Sequence, residues 1–131
     1  MVLPVKKIMR KKVATCSLNA SVHSACQVLK KFNTSTVVIV DRNKQVLGVF
    51  SERDLVNKVV AGNKDPKTTK VGQVMTSPAI CADVEQDDVE LANLIITQHV
   101  KKIPILKNGK LAGIVAESDI LKHLAESLWN G

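Results

Sequence analysis

The segment Gly48-Val49-Phe50-Ser51-Glu52-Arg53-Asp54 carries side chains that can do recognition chemistry at a usable spacing. It runs from an apolar, strand-like stretch into a helix start. A helix N-terminus leaves backbone N–H groups unpaired and carries partial positive charge, which suits an anion. Ser51 at the N-cap adds a hydroxyl, and Arg53 can add a fork for phosphate. Asp54, one turn in, has two oxygens able to accept both hydroxyls of a ribose. A sugar acceptor beside a helix end and a cation is nucleotide-binding chemistry. A plainer assignment fits the same residues: Ser-x-x-Asp is a capping box, with the acid reaching back to the cap N–H. The stretch Ala112–Ile120 repeats the pattern with Asp119 but places Ala116 where the serine would be, a change that costs a helix about 1 kcal/mol. An aspartate opposite an alanine has little to do as the partner of a cap hydroxyl, which favours a second role.

Other chemistries find no residues to carry them. There is no nucleophile elbow, Walker loop, HExxH or Gly-x-Gly-x-x-Gly, so no catalytic set is assigned and no enzymatic activity is expected. Cys16, Cys26 and Cys81 are odd in number and form no C-x-x-C, and His23, His99 and His123 are scattered, so neither a disulfide framework nor a metal site is expected. The cysteines read as small buried hydrophobes. With no tyrosine and only Phe32, Phe50 and Trp129 as aromatics, base-stacking platforms are poorly supplied.

The elements that must position these residues come in two copies. Ile8-Met9 matches Val74-Met75 at an offset of 66, and Val37-Val38-Ile39-Val40-Asp41 matches Ile103-Pro104-Ile105-Leu106-Lys107 at the same offset. Leu47–Leu55 then matches Ala112–Ile120 at 65. The lost residue falls where Asp41-Arg42-Asn43-Lys44 faces Lys107-Asn108-Gly109, which is turn chemistry and tolerates insertion. Each copy opens with an extended piece (Val13–Leu18; Ala79–Val84). A helix follows, with apolar residues three and four apart: Val22, Ala25, Val28, Leu29 and Phe32 in one, Val89, Ala92, Ile95 and Ile96 in the other. Two strands come next (37–40 and 46–50; 103–106 and 111–115), and a closing helix starts near Ser51 or Ala116. The expected fold is α+β, a duplicated β-α-β-β-α unit with residues 1–65 as one repeat and 66–131 as the other, joined through Gly62–Lys67. A unit of roughly 60 residues is marginal alone, so the two are expected to pack through their sheets with pseudo-two-fold symmetry.

At 131 residues, 45 % apolar and 24 % charged, the chain has ordinary globular usage. No apolar run approaches the roughly 20 residues of a membrane-spanning helix, and the opening Met1–Lys7 lacks the apolar core of a secretory signal, so a cytoplasmic location is expected. The net charge of +7 is uneven: residues 1–65 hold 12 Lys/Arg against 4 Asp/Glu, and residues 66–131 hold 7 against 8. The cluster Lys6, Lys7, Arg10, Lys11, Lys12 suits nucleic acid or an acidic partner, or is a solvated face that aids solubility.

Taken together, the Met9 and Met75 openings, the Val38-Ile39-Val40-Asp41 and Ile103-Pro104-Ile105 strands, and the glycine-to-aspartate segments ending in Asp54 and Asp119 resemble a tandem pair of cystathionine-β-synthase (CBS) domains, the Bateman module, of the stand-alone type. The resemblance covers nearly the whole chain. It implies a regulatory module, with no cofactor required, that binds an adenosyl ligand (AMP, ADP, ATP or S-adenosylmethionine) in a cleft between the repeats and modulates a partner protein. A disk-like homodimer is the family's usual assembly. For the cleft of Asp54 the resemblance implies Val49, Ser51, Thr36, the stretch Thr76 to Ile80, and Lys101 and Lys102. For the cleft of Asp119 it implies Ile114, Ala116 and the stretch Arg10 to Val13, with Lys11 and Lys12 for phosphate. The second cleft lacks the cap hydroxyl, so one good site is expected. Plainer roles stand beside these: Lys101 and Lys102 as an exposed charged stretch, Thr76 as a cap for the turn before Pro78, Arg53 as a solvent or partner contact. Trp129, on one stripe with Leu121, Leu124 and Leu128, reads as a packing or dimer contact. The competing functions are nucleic-acid binding through the basic face of the first repeat, and a constitutive scaffold.

Overall fold

The computed structural model describes residues 2–130. The chain divides into two compact units, Val13–Ala79 and Met1–Lys12 with Ile80–Gly131. Repeat and packing unit are therefore different divisions of the chain: the opening segment of each repeat packs with the body of the other.

In the Val13–Ala79 unit, β1 (Thr15–Cys16) leads through α1 (Val22–Phe32) to β2 (Thr36–Val40), then β3 (Val46–Ser51) and α2 (Glu52–Asp54), which widens into π-helical turns over Leu55–Val60. The sheet order is β1-β2-β3, with β1 parallel and β3 antiparallel to β2. A parallel pair needs a crossover, and α1 supplies it. Ser21 caps α1 by accepting Ser24 N–H at 3.0 Å, and Asn33 ends it in the left-handed conformation. Val37, Val38 and Ile39 of β2 are buried on both faces, which accounts for their unbroken apolar run. Val22, Ala25, Leu29, Phe50, Val59, Val71 and Val74 complete the core. The expected linker is fastened down at Pro66, whose O accepts His23 N–H at 2.8 Å, and just beyond it Thr69 O accepts Val22 N–H at 2.9 Å. Both donors are first-turn amides of α1 that would otherwise lack partners.

The other unit repeats the plan with β4 (Ala82–Asp83), α3 (Asp88–Gln98), β5 (Lys102–Lys107), β6 (Lys110–Ala116) and α4 (Glu117–Asn130), in sheet order β4-β5-β6. Asp87 caps α3 by accepting Glu90 N–H at 2.9 Å. Its core is Val5, Ala82, Val84, Leu91, Ile103, Ile105, Val115 and Ile120. Two hairpins explain the change of repeat offset. Asn108 (φ 53°) and Gly109 (φ 77°) make a tight turn between β5 and β6 whose paired positive φ values match the strand twist. Between the paired residues Val40 and Val46 the β2–β3 connection has one residue more than that between Leu106 and Leu111. It closes on Asp41 Oδ1, which accepts Asn43 N–H at 2.8 Å and Gln45 N–H at 2.9 Å. Among the described residues no helix is long and apolar enough to cross a membrane.

One contact recurs in both units and places the site residues. Thr76 and Val49 exchange backbone hydrogen bonds of 2.8 and 3.0 Å, and Arg10 and Ile114 exchange two of 2.9 Å. Each opening segment thus rides on the second strand of a hairpin for a single residue pair. Glycine makes room for it. A Cβ on Gly48 would lie 2.7 Å from Thr76 O and 2.8 Å from Met75 S, and one on Gly113 would lie 2.8 Å from Arg10 O and 2.7 Å from Met9 S. Gly48→Ala and Gly113→Ala should each lower stability by about 1–3 kcal/mol, the usual cost of overpacking, as measured by urea unfolding. An unchanged midpoint in either variant would show that the close approach is not what holds the segment.

Candidate functional site

Because β3 delivers the chain directly into α2, Ser51 sits at an N-cap in extended conformation and Asp54 falls three residues on. The Ser51 hydroxyl accepts Asp54 N–H at 3.2 Å, and Asp54 Oδ2 accepts Ser51 N–H at 3.0 Å and the Ser51 hydroxyl at 3.2 Å. The capping box is therefore made. The other carboxylate oxygen turns toward the opening segment: Asp54 Oδ1 accepts the Thr76 hydroxyl at 2.9 Å and pairs with Lys58 Nζ at 3.0 Å. The Lys58 ammonium also reaches Met75 O and Thr76 Oγ1, each at 3.4 Å. Asp54 is only 6 % exposed. A carboxylate offers about four acceptor positions, and Asp54 has four donors on it. The chain's own groups thus fill the acceptor positions that a ribose would use.

The expectation of a row of free N–H groups at the α2 start is corrected. Glu52 N–H donates to Ser35 O at 3.0 Å, and Asp54 N–H is held by the Ser51 hydroxyl. Val49 joins the site through its bridge to Thr76, and Thr36 stands opposite Ser51 in the β2–β3 ladder. The Thr76 hydroxyl goes to Asp54 and does not cap the turn before Pro78. Arg53 is exposed, with no hydrogen bond or ion pair among the described residues. Of the residues expected around Asp54, the structure thus gathers Val49, Ser51, Thr36 and Thr76. Ile80, Lys101 and Lys102 belong to the other unit, where Lys101 O accepts Glu117 N–H at 2.7 Å and Lys102 opens β5 opposite Ala116.

The Met1–Lys12/Ile80–Gly131 unit builds the same cradle from different residues. Asp119 Oδ2 accepts Ala116 N–H at 2.9 Å, half of a capping box. Its Oδ1 accepts Arg10 Nε–H at 3.1 Å and Arg10 Nη2–H at 2.7 Å. The hydrogen bond and the charge of Asp119 push the Arg10 guanidinium pKa further up, so it is always charged. Ile114 is the bridge partner of Arg10, Lys12 is exposed, and Val13 belongs to the other unit. His123 occupies the position that Lys58 holds in the first copy. It turns elsewhere, its Nε2 lying 2.8 Å from Oδ2 of the buried Asp88, whose Oδ1 accepts Leu3 N–H at 3.2 Å and Val89 N–H at 2.9 Å.

One side chain that bonds the Asp54 carboxylate, Lys58, was not assigned from sequence. Lys58 stands four residues after Asp54, the spacing at which helix neighbours pair, and that signal was available. Arg10 was read both as part of a basic cluster and as the start of the stretch that the resemblance sets beside Asp119; its ion pair with that carboxylate was not foreseen. The cluster itself is less uniform than its sequence suggests, since Arg10 is paired and the run shares a unit with all eight acidic residues of the second half. The cysteines are half-buried, and burial pushes the Cys16 thiol up to about 11 and the other two in the same direction, so all three stay protonated at neutral pH.

A fold of two β-α-β-β-α repeats, each presenting an N3 aspartate to the opening segment of the other, defines a pair of CBS domains. The CBS-domain family model matches residues 5–61 and 71–126, and the chain belongs to that family. An uncharacterized protein of Methanopyrus kandleri is 31 % identical over 119 residues, which is 90 % of this chain and 61 % of that protein. An uncharacterized protein of Methanocaldococcus jannaschii is 30 % identical over 134 residues, 93 % of this chain and 32 % of that protein. The chain thus spans less than two thirds of the first relative and about a third of the second. Among solved structures, a CBS domain pair in complex with 5′-methylthioadenosine and S-adenosyl-L-methionine superposes with a TM-score of 0.87 at 23 % identity, covering 97 % of this chain and 99 % of that one. At that identity the likeness speaks for the fold.

The two caps give a paired test. Ser51→Ala should cost about 1 kcal/mol, and Ala116→Ser should add stability of the same size, because Asp119 already holds the cap N–H and lacks only the hydroxyl. Thermal unfolding of both variants checks this; a destabilised Ala116→Ser would mean the second cap cannot close.

Proposed function

We propose that this protein is a ligand-sensing regulatory module whose Asp54 cradle binds the ribose of an adenosyl ligand, and that binding shifts the equilibrium of a partner protein or of a homodimer. The observation that carries the reading is the arrangement at Asp54 Oδ1. Its two donors there, the Thr76 hydroxyl and the Lys58 ammonium, are replaceable by the two hydroxyls of a ribose. Lys58 is 43 % exposed, and ion pairs reaching into water contribute little, so exchanging it for a ribose hydroxyl costs little. Oδ2 stays in the capping box and keeps the carboxylate aimed. Once released, the Lys58 ammonium is a counter-charge for phosphate, which favours AMP, ADP or ATP over the cationic S-adenosylmethionine. The crystal structure of a CBS domain pair with two adenosyl compounds bound supports the ligand class.

A ligand moves an equilibrium only through unequal affinity for the two states. The exposed Leu121, Leu124 and Leu128 recur on one stripe of α4 beside Trp129, and they support a homodimer. Leu128→Lys should then shift the protein toward monomer in light scattering, whereas an unchanged mass would remove α4 from the interface.

The ligand is tested by thermal shift with AMP, ADP, ATP and S-adenosylmethionine. One of the four should stabilise the chain by about 2.7 kcal/mol at one hundred times its Kd. The shift should vanish in Asp54→Ala, and circular dichroism should confirm that this variant is folded. No shift with any of the four would remove the proposal.

A further inference from the structure

We infer that Arg10 is a built-in occupant of the Asp119 cradle, so that the chain offers one ligand site and Arg10 decides which of its two cradles is open. The inference rests on the proposed reading of Asp54 and adds what distinguishes the two carboxylates. The internal repeat pairs Gly48 with Gly113, Val49 with Ile114, Asp54 with Asp119 and Thr76 with Arg10. The backbone around each pair is the same, down to the single-residue bridge and the close glycine approach. Among these four pairs only the side chain carried in by the opening segment differs in kind.

Threonine brings a hydroxyl that rotates and can donate or accept. Arginine brings a planar fork whose Nε–H and Nη2–H both rest on Asp119 Oδ1. Two adjacent N–H donors on one carboxylate reproduce what the neighbouring hydroxyls of a ribose would offer, so the fork occupies the ligand's own acceptor. Its backbone is pinned to Ile114 on both sides, which keeps the guanidinium in place. The i+4 position makes the difference sharper. In the Asp54 cradle Lys58 supplies the counter-charge from the helix itself; the equivalent His123 is committed to Asp88. Asp119, only 12 % exposed, depends on Arg10 for its positive partner. Arg10 is 67 % exposed along its side chain, so it can be replaced without opening a hole in the core.

Isothermal titration with AMP, and in parallel with S-adenosylmethionine, reads the stoichiometry directly. The wild-type chain should bind one equivalent and Arg10→Thr two. The double variant Arg10→Thr/Ala116→Ser copies the Thr-Ser-Asp set of the first cradle and should bind the second equivalent more tightly than Arg10→Thr. A further variant keeps this inference apart from the reading of Asp54: Asp54→Ala/Arg10→Thr should retain one equivalent, held at Asp119. Two equivalents on the wild-type chain, or one on both Arg10→Thr and Arg10→Thr/Ala116→Ser, would overturn the plug while leaving the Asp54 site standing. No binding to wild type with one equivalent on Arg10→Thr would sustain the plug and overturn the Asp54 site. No binding to any of the proteins would overturn both.

Discussion

A single residue pair of antiparallel backbone, made possible by the missing side chain of a glycine, governs the rest of this structure. Gly48 and Gly113 let the opening segment of one repeat lie against a strand of the other at a distance no Cβ would permit. That contact threads the repeats through each other: neither compact unit is assembled from one contiguous repeat. It also carries residue 76 to Asp54 and residue 10 to Asp119, so the contact that ties the chain together also builds its candidate site. Changes at the opening segments bear on fold and recognition at once.

The two carboxylates show how a folded chain keeps a charge inside without stranding it. A buried aspartate must be hydrogen-bonded and countered. Backbone capping meets half of the need in each copy, and the other half comes from whatever the opening segment and the helix can reach. In the first copy that is a hydroxyl and a lysine on a flexible stem; in the second it is an arginine fork. Both satisfy the electrostatics, but they differ in how readily they yield. A flexible, half-exposed ammonium gives way to a competing donor more easily than a guanidinium whose backbone is held on both sides. A duplicated architecture can in this way hold two cradles of the same shape with different thresholds, and a regulatory module can use one to sense while the other stays closed.

The conversion of a binding event into a signal needs an element with two states. The short α2 contains Asp54 and its π-helical continuation carries Lys58, so under the proposed reading a ligand that displaced Lys58 would act on the helix that bears it. π-helical turns are rare and occur frequently at functional sites. The matching helix α4 is regular over its full length, another respect in which the two copies are unequal.

Much of this was legible in the residues themselves. Apolar spacing and unbroken apolar runs located the two long crossover helices and the four hairpin strands to within a residue or so, because burial leaves a direct imprint on residue type. The short 3-10 turns at Val5–Lys7 and Val71–Gln73 and the π-helical turns over Leu55–Val60 left no such imprint. The change of repeat offset marked the β2–β3 and β5–β6 turns, since Asn-Gly specifies a two-residue hairpin by backbone chemistry alone. Ser51 and Asp54 could be read as a cap because capping is local. The bonds of the carboxylate oxygens could not be read from local pattern; only the resemblance set the stretches beginning at Thr76 and Arg10 beside Asp54 and Asp119. Thr76 lies 22 residues from Asp54 and Arg10 lies 109 residues from Asp119, and nothing local prescribes which distant donor fills an acceptor. The assignment of compact units also waited for the tertiary structure, because a one-residue bridge across a glycine leaves no periodic signature. Local backbone and burial rules settle the elements; which buried charge meets which partner is decided only when the chain closes on itself.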